Sequence, residues 1–354
     1  MKRRVYSSSK RIFSGIQPTG SVHIGNYIGA IQNWVLLQER ADSLPIYSIV
    51  DLHAITQPYG VHELKENVFK LTATLLACGI NVDKSILFCQ SDVKEHSELA
   101  WILSCITPLS WLQRMTQYKQ KSASKSEKNQ SSLGLLSYPV LQAADILLYK
   151  ATEVPVGEDQ LQHLELCRDI VTTFHHKYCR EIDLDGNEIQ VHSIFPSPIA
   201  IVSKQEASNR IMSLKDASKK MSKSDINPMS RINLTDSDDE IMLKIKGAKT
   251  DSEIGFTFDV INRPEKSNLL AIYSAFSGTS IDELVAKYSI TSATDFKHDL
   301  ATLLISRINP ISRKLHELMN ERNELERILK VGASDAREIA QQTIDEVRRV
   351  TGVR

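Results

Sequence analysis

The sequence predicts an α/β fold: a Rossmann-like domain built on a parallel sheet, followed by a C-terminal helical domain. Three observations carry this expectation. Short apolar strands alternate with helical patterns through the first ninety residues, the order that builds a parallel sheet. A glycine-containing turn joins the first strand to the first helix. Beyond about residue 230, apolar positions recur only at helical spacing among many charges, which places a domain change there.

Taken in order, Arg11 to Ile16 alternates as a strand, and Gly15 leaves room for a ligand to approach the backbone. Gln17-Pro18-Thr19-Gly20 is turn chemistry, with Pro fixing φ and Gly free to adopt a conformation other residues resist. From His23 onward Ile24, Tyr27, Ile28, Ile31 and Val35 recur as one helical stripe. Such a turn aims backbone N–H groups and the positive end of a helix dipole at one place, which suits a phosphate. An ordinary βα turn has the same composition, and neither a Walker A loop nor a G-x-G-x-x-G is present.

Pro45 to Val50 reads as a buried strand ending at Asp51-Leu52-His53, polar groups at the sheet edge where ligands bind. Val61, Leu64, Val68, Leu71 and Leu75 form a helix closed by Gly79, and Ser85 to Ser91 is the next strand. Ser97 to Thr116 is helical, interrupted near Thr107-Pro108. Lys119 to Ser132 is basic and aperiodic, a loop that is either solvated or a lid over an anion.

Leu135 to Tyr149 is an apolar helical run with Asp145 inside it. A buried carboxylate needs a donor, either a local backbone N–H or Arg, or one that arrives with a ligand. Glu153 to Val156 is a short strand, and Gly157-Glu158-Asp159-Gln160 opens the next helix, its acids either capping it or holding ribose hydroxyls. Ile211 to Ser224 carries Lys219, Lys220 and Lys223 among small hydroxyl residues and reads as an exposed basic loop. Helical patterns follow at Asp238 to Lys246, Asn268 to Phe276, Phe296 to Leu304, Pro310 to Leu329 and Ala336 to Val350.

Composition bounds the function. The 354 residues carry 43 Lys plus Arg against 43 Asp plus Glu, so a nucleic-acid face must be a local patch. Five cysteines without a C-x-x-C pair read as core thiols in a reducing compartment, with neither a zinc site nor a disulfide frame. No apolar run approaches a membrane span, so a soluble intracellular protein with no membrane association is expected. Residues 1–11 are basic and Ser-rich, with no acid before Glu39. This is the composition of a transit peptide, though short for one, or of a frayed basic terminus.

Three separated motifs now agree. Pro18-Thr19-Gly20 to His23-Ile24-Gly25-Asn26 resembles the HIGH motif of class I aminoacyl-tRNA synthetases, and Lys220-Met221-Ser222-Lys223-Ser224 matches their KMSKS loop. Tyr138 to Asp145 and Val154 to Gln160 look like the amino-acid and ribose segments of the tryptophanyl-tRNA synthetases. The resemblance runs from about Ile12 to the C-terminus. It departs at Asn26, where HIGH has its second His, and at Gln142, where some bacterial members carry Met.

The resemblance implies that residues 12–230 form the catalytic domain and 231–354 a helical anticodon-binding region. It implies activation of L-tryptophan by ATP, with Mg²⁺ on the phosphates, and transfer to tRNA(Trp) by a homodimer. His23, Asn26, Lys121, Lys220 and Lys223 would be the catalytic residues. Gln17, Pro18, Thr19, Gly25, Gly157, Glu158, Asp159, Ile211, Met221, Ser222 and Ser224 would join Asn26, Lys220 and Lys223 around ATP, and no metal-ligand set is expected in the protein. Phe13, His53, Tyr138, Asp145 and Gln160 would hold tryptophan, with Asp145 accepting the indole N–H. Arg231, Lys244, Lys246 and Lys249 would be candidate tRNA phosphate contacts. The Leu-Gln-Ala-Ala-Asp run leans toward organellar or bacterial members, so the mitochondrial matrix is expected, with bacterial cytoplasm as the alternative. Three rivals stay open: a tyrosine enzyme, a small nucleotidyltransferase, and an RNA-binding protein that has lost catalysis.

Overall fold

The computed structural model describes residues 10–123, 132–157, 160–182, 188–190, 193–201, 210–223 and 225–354. Strands β1 (Lys10–Ile16), β2 (Ser43–Ile49), β3 (Ile86–Cys89) and β4 (Glu153–Pro155) belong to one sheet. A short antiparallel hairpin, β5 (Arg180–Ile182) with β6 (Glu188–Gln190), precedes the fifth sheet strand, β7 (Ile199–Ile201). The sheet order is β3-β2-β1-β4-β7, and every pair in it is parallel. The order reverses between β1 and β4, so the chain leaves those two strands in opposite directions and opens a crevice at their carboxyl ends. The expected α/β architecture is therefore present. Lys10 and Arg11, read as the end of a basic leader, instead begin β1 and pair with Ser43 and Leu44. Residues 1–9 lie outside the described part.

The first helix is composite: α1 (Ile24–Asn26), a π-helical turn at Tyr27–Ile31, and α2 (Gln32–Leu37). π-turns inside helices gather at functional sites. α3 (Asp51–Ala54) follows β2 directly, and α4 (Val61–Ala77) ends before Gly79, whose φ of +108° stops the helix. α5 (Glu95–Ser104) and α6 (Leu109–Gln113) are parted at Thr107-Pro108. α7 (Thr116–Ala123) takes in the start of the segment read as a loop, and residues 124–131 are outside the description. α8 (Leu133–Leu148) carries Asp145, and α9 (Leu161–Tyr178) follows β4.

In the C-terminal region α10 (Asp238–Lys246) starts on a Ser237–Glu240 capping box, followed by α11 (Pro264–Ser277) and α12 (Ile281–Tyr288). α13 (Ala293–Asn320) and α14 (Arg322–Thr351) break at Glu321, not at Pro310. Pro310 removes one intrahelical hydrogen bond, yet the buried stripe of Leu304, Ile308 and Leu315 continues through it. The C-terminal helices share their cores with the sheet domain. Ile24, Trp34 and Leu87 pack in one cluster with Ile232, Leu304 and Leu329, while Phe88 and Leu99 pack with Ala336 and Ile344. Helix α14 covers the edge strand β3, and a side chain at Gly332 would collide with the Leu87 carbonyl. Covering the edge leaves no free ladder for another strand. The cysteines form no disulfide; Cys89, Cys167 and Cys179 are core thiols, whereas Cys105 is exposed. Among the described residues no helix is long and apolar enough to cross a membrane.

Candidate active site

The turn after β1 lies among cations. Gly20 turns the chain at φ +59°, a conformation that favours glycine. α1 then opens on a reciprocal cap: Asn26 N–H donates to His23 Nδ1 at 3.3 Å, and His23 N–H donates to Asn26 Oδ1 at 3.4 Å. The imidazole must be neutral to accept at Nδ1, so its proton sits on Nε2. Burial pushes His23 down to about 3, assisted by the positive charges of Lys223, Arg231 and Lys220. A side chain at Gly25 would meet the imidazole at 3.0 Å, so glycine there keeps the ring's place. Thr19 N–H donates to Gln17 O at 2.9 Å, with Pro18 buried between them.

The Lys220–Lys223 segment differs from its expected form. Met212 and Lys220 form an antiparallel bridge, with Ser213 N–H on Lys219 O at 2.8 Å and Met221 N–H on Ile211 O at 2.9 Å. Ile211, Leu214 and Met221 are buried. The segment is thus a packed hairpin, because alternate residues reach the core, with exposed Lys220 on its outer edge and half-buried Ser222 beside Met221. Lys223 Nζ donates to Thr19 O at 2.7 Å, tying this hairpin to the first turn. Burial pushes Lys223 down to about 8. The Ile211 carbonyl is taken by Met221, and Asn268 clamps the next peptide at Met212 through bonds of 2.9 and 3.0 Å. Gly157 is exposed just past β4, its carbonyl accepting Gln160 N–H at 2.9 Å. Glu158, Asp159 and Ser224 lie outside the described residues, as does the side chain of Lys121, whose backbone is in α7.

The second half of the site is centred on Asp145, 1 % exposed on α8. Its donor is already present, neither a local backbone N–H nor an Arg. His53 Nε2 lies 2.7 Å from Oδ2, while Gln90 Nε2 at 2.7 Å and His96 Nδ1 at 2.6 Å meet Oδ1. Burial alone would raise the carboxyl pKa, and the electrostatic and hydrogen-bonding interactions with His53 and His96 outweigh it, leaving Asp145 well below the usual range. An ionised carboxylate can only accept, so both imidazoles donate to it. His96 Nε2 then accepts from the Tyr149 hydroxyl at 2.7 Å, whose proton is held by burial and by the nearby Asp145 and Glu95 charges. Phe13 stacks on Tyr149 with centroids 5.5 Å apart and so backs this network. Tyr138 meets His53 edge-on at 6.3 Å. Its hydroxyl lies 2.9 Å from Gln117 Oε1 and 3.1 Å from His163 Nε2, whose Nδ1 reaches Gln160 Oε1 at 2.9 Å.

The His23 half follows β1, while His53 and Gln90 of the other half follow β2 and β3, so both halves lie at carboxyl ends of neighbouring sheet strands. Gln90, His96, Tyr149 and His163 escaped the sequence reading. Two signals were available: Gln90 follows an apolar strand as Asp51–His53 does, and His96, Leu99 and Leu103 share one buried helical stripe. Two of the lysines read as tRNA contacts are otherwise engaged, because each sits beside a carboxylate. Lys244 is buried against Asp236 at 2.5 Å, and Lys249 meets Glu265 at 2.9 Å. Arg231 lies near His23. Among the described residues no group of three or more His, Cys, Asp or Glu is arranged to hold a metal ion.

Comparison with known proteins identifies the family. Residues 7–309 match the family model of class I tRNA synthetases (W and Y). The tryptophan–tRNA ligase of Rickettsia conorii is 48% identical over 97% of this chain and 98% of its own. The crystal structure of tryptophanyl-tRNA synthetase from Mycoplasma pneumoniae superposes with a TM-score of 0.83 at 34% identity, covering 97% of both chains. That of Campylobacter jejuni, complexed with ADP and tryptophan, gives 0.78 at 35% identity over 97% of this chain and 99% of the other. A near full-length match of sequence and fold alike means that the chain belongs to the tryptophanyl-tRNA synthetases of class I.

Proposed function

We propose that the chain is an ATP-dependent ligase that activates L-tryptophan and passes it to tRNA(Trp). The observation that carries this is the presence, at the carboxyl ends of neighbouring strands of one sheet, of a neutral-His helix cap among cations and a buried carboxylate network. The tryptophan carboxylate attacks the α-phosphate of ATP, an O–P bond forms, and pyrophosphate leaves with the electrons of the bond it breaks. A ribose hydroxyl of the tRNA then attacks the acyl carbon and AMP departs. Neither step uses a covalent enzyme nucleophile, so the protein positions reactants and neutralises phosphate charge.

His23 Nε2–H and the Asn26 side-chain amide donate to phosphate oxygens, and Lys220 and Lys223 take up charge on the leaving pyrophosphate. Lys121 assists from α7, while Gln17, Thr19, Ser222 and Ser224 line the nucleotide; Met221, expected there, is packed into the core instead. Gly157 and Asp159 hold the ribose, with Glu158 beside them, and Ile211 borders the adenine. Mg²⁺ bound to the incoming ATP would screen its phosphate oxygens, with no ligand group of three or more His, Cys, Asp or Glu for it among the described residues. Asp145 Oδ2 accepts only His53 among the described residues, leaving it an acceptor position for the indole N–H. Phenylalanine offers no such donor, and a site of this kind rejects an analogue lacking it by roughly ten-thousandfold. Tyr138 and Gln160 serve the ammonium group.

Anticodon contacts by residues 231–354 and a homodimer rest on the family resemblance. The relatives reported above are bacterial, which favours bacterial cytoplasm over the mitochondrial matrix. The test is ATP–pyrophosphate exchange without tRNA against each amino acid. Exchange with tryptophan alone is expected. Exchange with tyrosine moves the specificity, and none with any amino acid overturns the reading.

A further inference from the structure

We infer that Arg231 is a third phosphate-contacting cation of this site, placed beside Lys220 and Lys223 to receive the departing pyrophosphate. The inference rests on the adenylation reading above and adds a residue outside both motifs.

The backbone fixes Arg231 against the phosphate turn. Ile24 N–H donates to Ile232 O and Leu234 N–H to Val22 O, each at 2.9 Å, and His23 bridges Asn233. The strand-like segment after Arg231 therefore runs antiparallel to the entry of α1. It is held from beneath: Asp236 Oδ2 accepts Asn233 N–H at 2.8 Å and pairs with buried Lys244. A mobile surface arginine would have none of this support.

The guanidinium is half-buried and, among the described residues, makes one hydrogen bond, Nη1 to Asp225 O at 2.8 Å, just beyond the Lys220–Ser224 run. Arg40, Arg263 and Arg348 each meet a carboxylate. Arg231 has no carboxylate partner among the described residues, nor do Lys220 and Lys223. Its charge reaches His23 together with theirs. Three cations gathered on a neutral imidazole, without an anion, form a field that a polyanion completes. The planar fork has donors to spare for two phosphate oxygens.

Three variants decide the matter: Arg231→Ala, Arg231→Gln and Arg231→Lys. Glutamine keeps an N–H that can bond Asp225 O but removes the charge. With tryptophan as substrate, Ala and Gln are expected to lower kcat/KM for ATP by roughly ten- to a hundredfold. KM for tryptophan should stay within about twofold, and Lys should recover most of the loss. Calorimetric binding of inorganic pyrophosphate to the full chain should weaken in parallel. A wild-type-like Gln variant would reduce Arg231 to a latch on Asp225 and overturn the inference, as would equal losses for tryptophan and ATP. Absence of exchange by the wild-type protein would instead sink the adenylation reading, while pyrophosphate binding would still decide the role of Arg231.

Discussion

Asp145 and the cations around His23 lie at neighbouring carboxyl ends of one sheet, yet they handle charge in opposite ways. The Asp145 carboxylate is nearly inaccessible and collects donors from His53, Gln90 and His96, the last braced in turn by Tyr149. Its charge is met inside the protein by hydrogen-bond donors. Around His23, three cations surround a neutral ring and have no carboxylate among the described residues. That half is left half-open and electrostatically incomplete. A selectivity site gains from being finished before the ligand arrives, since a rigid acceptor discriminates by geometry. A phosphate site gains from standing excess charge, since stabilisation must appear when the leaving group forms.

Asp145→Ala tests the finished half and should have the largest effect. It strands the donors of three side chains in the core, a loss of ~3–5 kcal/mol in urea unfolding. Tryptophan-dependent exchange should fall by ~1,000-fold or more, while pyrophosphate affinity changes by less than about twofold. Weakened pyrophosphate binding would merge the halves into one network.

Lys223→Ala tests the incomplete half. Exchange should fall by ~100-fold or more, with unfolding near neutral pH no easier, because burial disfavours this cation and alanine relieves that cost. A loss of several kcal/mol would show that Lys223 is a structural tie to Thr19 before it is a phosphate ligand.

The pH response separates the same two roles. With Lys223 down at about 8, kcat/KM for ATP should fall about tenfold per unit above that pH. Stability should move the other way. Between about 8 and the ordinary 10.5, the unfolded lysine holds a proton the folded one has lost, so unfolding becomes harder as pH rises. At the acid end, folded His23 stays neutral down to about 3 while the unfolded imidazole protonates near 6.5, so stability declines as pH falls through that window. Rate profiles and urea titrations across pH check both signs.

The smallest effect belongs to Arg348→Ala. Arg348 on α14 grips Glu98 of α5 through bonds of 2.6 and 2.7 Å, two residues from His96. A partly exposed pair is worth at most ~1 kcal/mol, and tryptophan KM should not move. A shift in that KM would extend the selectivity network to the C-terminal helix.

Strand and helix were legible where one periodicity dominated a run. The β1 turn, the apolar strand ending at Cys89 and the Ser237-capped α10 all carry local signals that tertiary packing reinforces. Pro310 misled because a long buried stripe outweighs one lost hydrogen bond, and β7 was missed because Ile199–Ile201 is too short to show alternation. The Ile211 to Ser224 run read as an exposed loop because its lysines mask Met221 and Leu214, which the hairpin turns inward.

By itself, the sequence determined the parallel-sheet order of elements, the phosphate-suited turn and the placing of a carboxylate within an apolar helix, since each depends on residues near one another in the chain. Only the tertiary structure decided what meets that carboxylate and what surrounds that turn. The partners of Asp145 are 49, 55 and 92 residues away, and Arg231 reaches His23 through a backbone pairing of Val22–Ile24 with Ile232–Leu234. Buried polar groups must be satisfied, but chain folding alone chooses by whom.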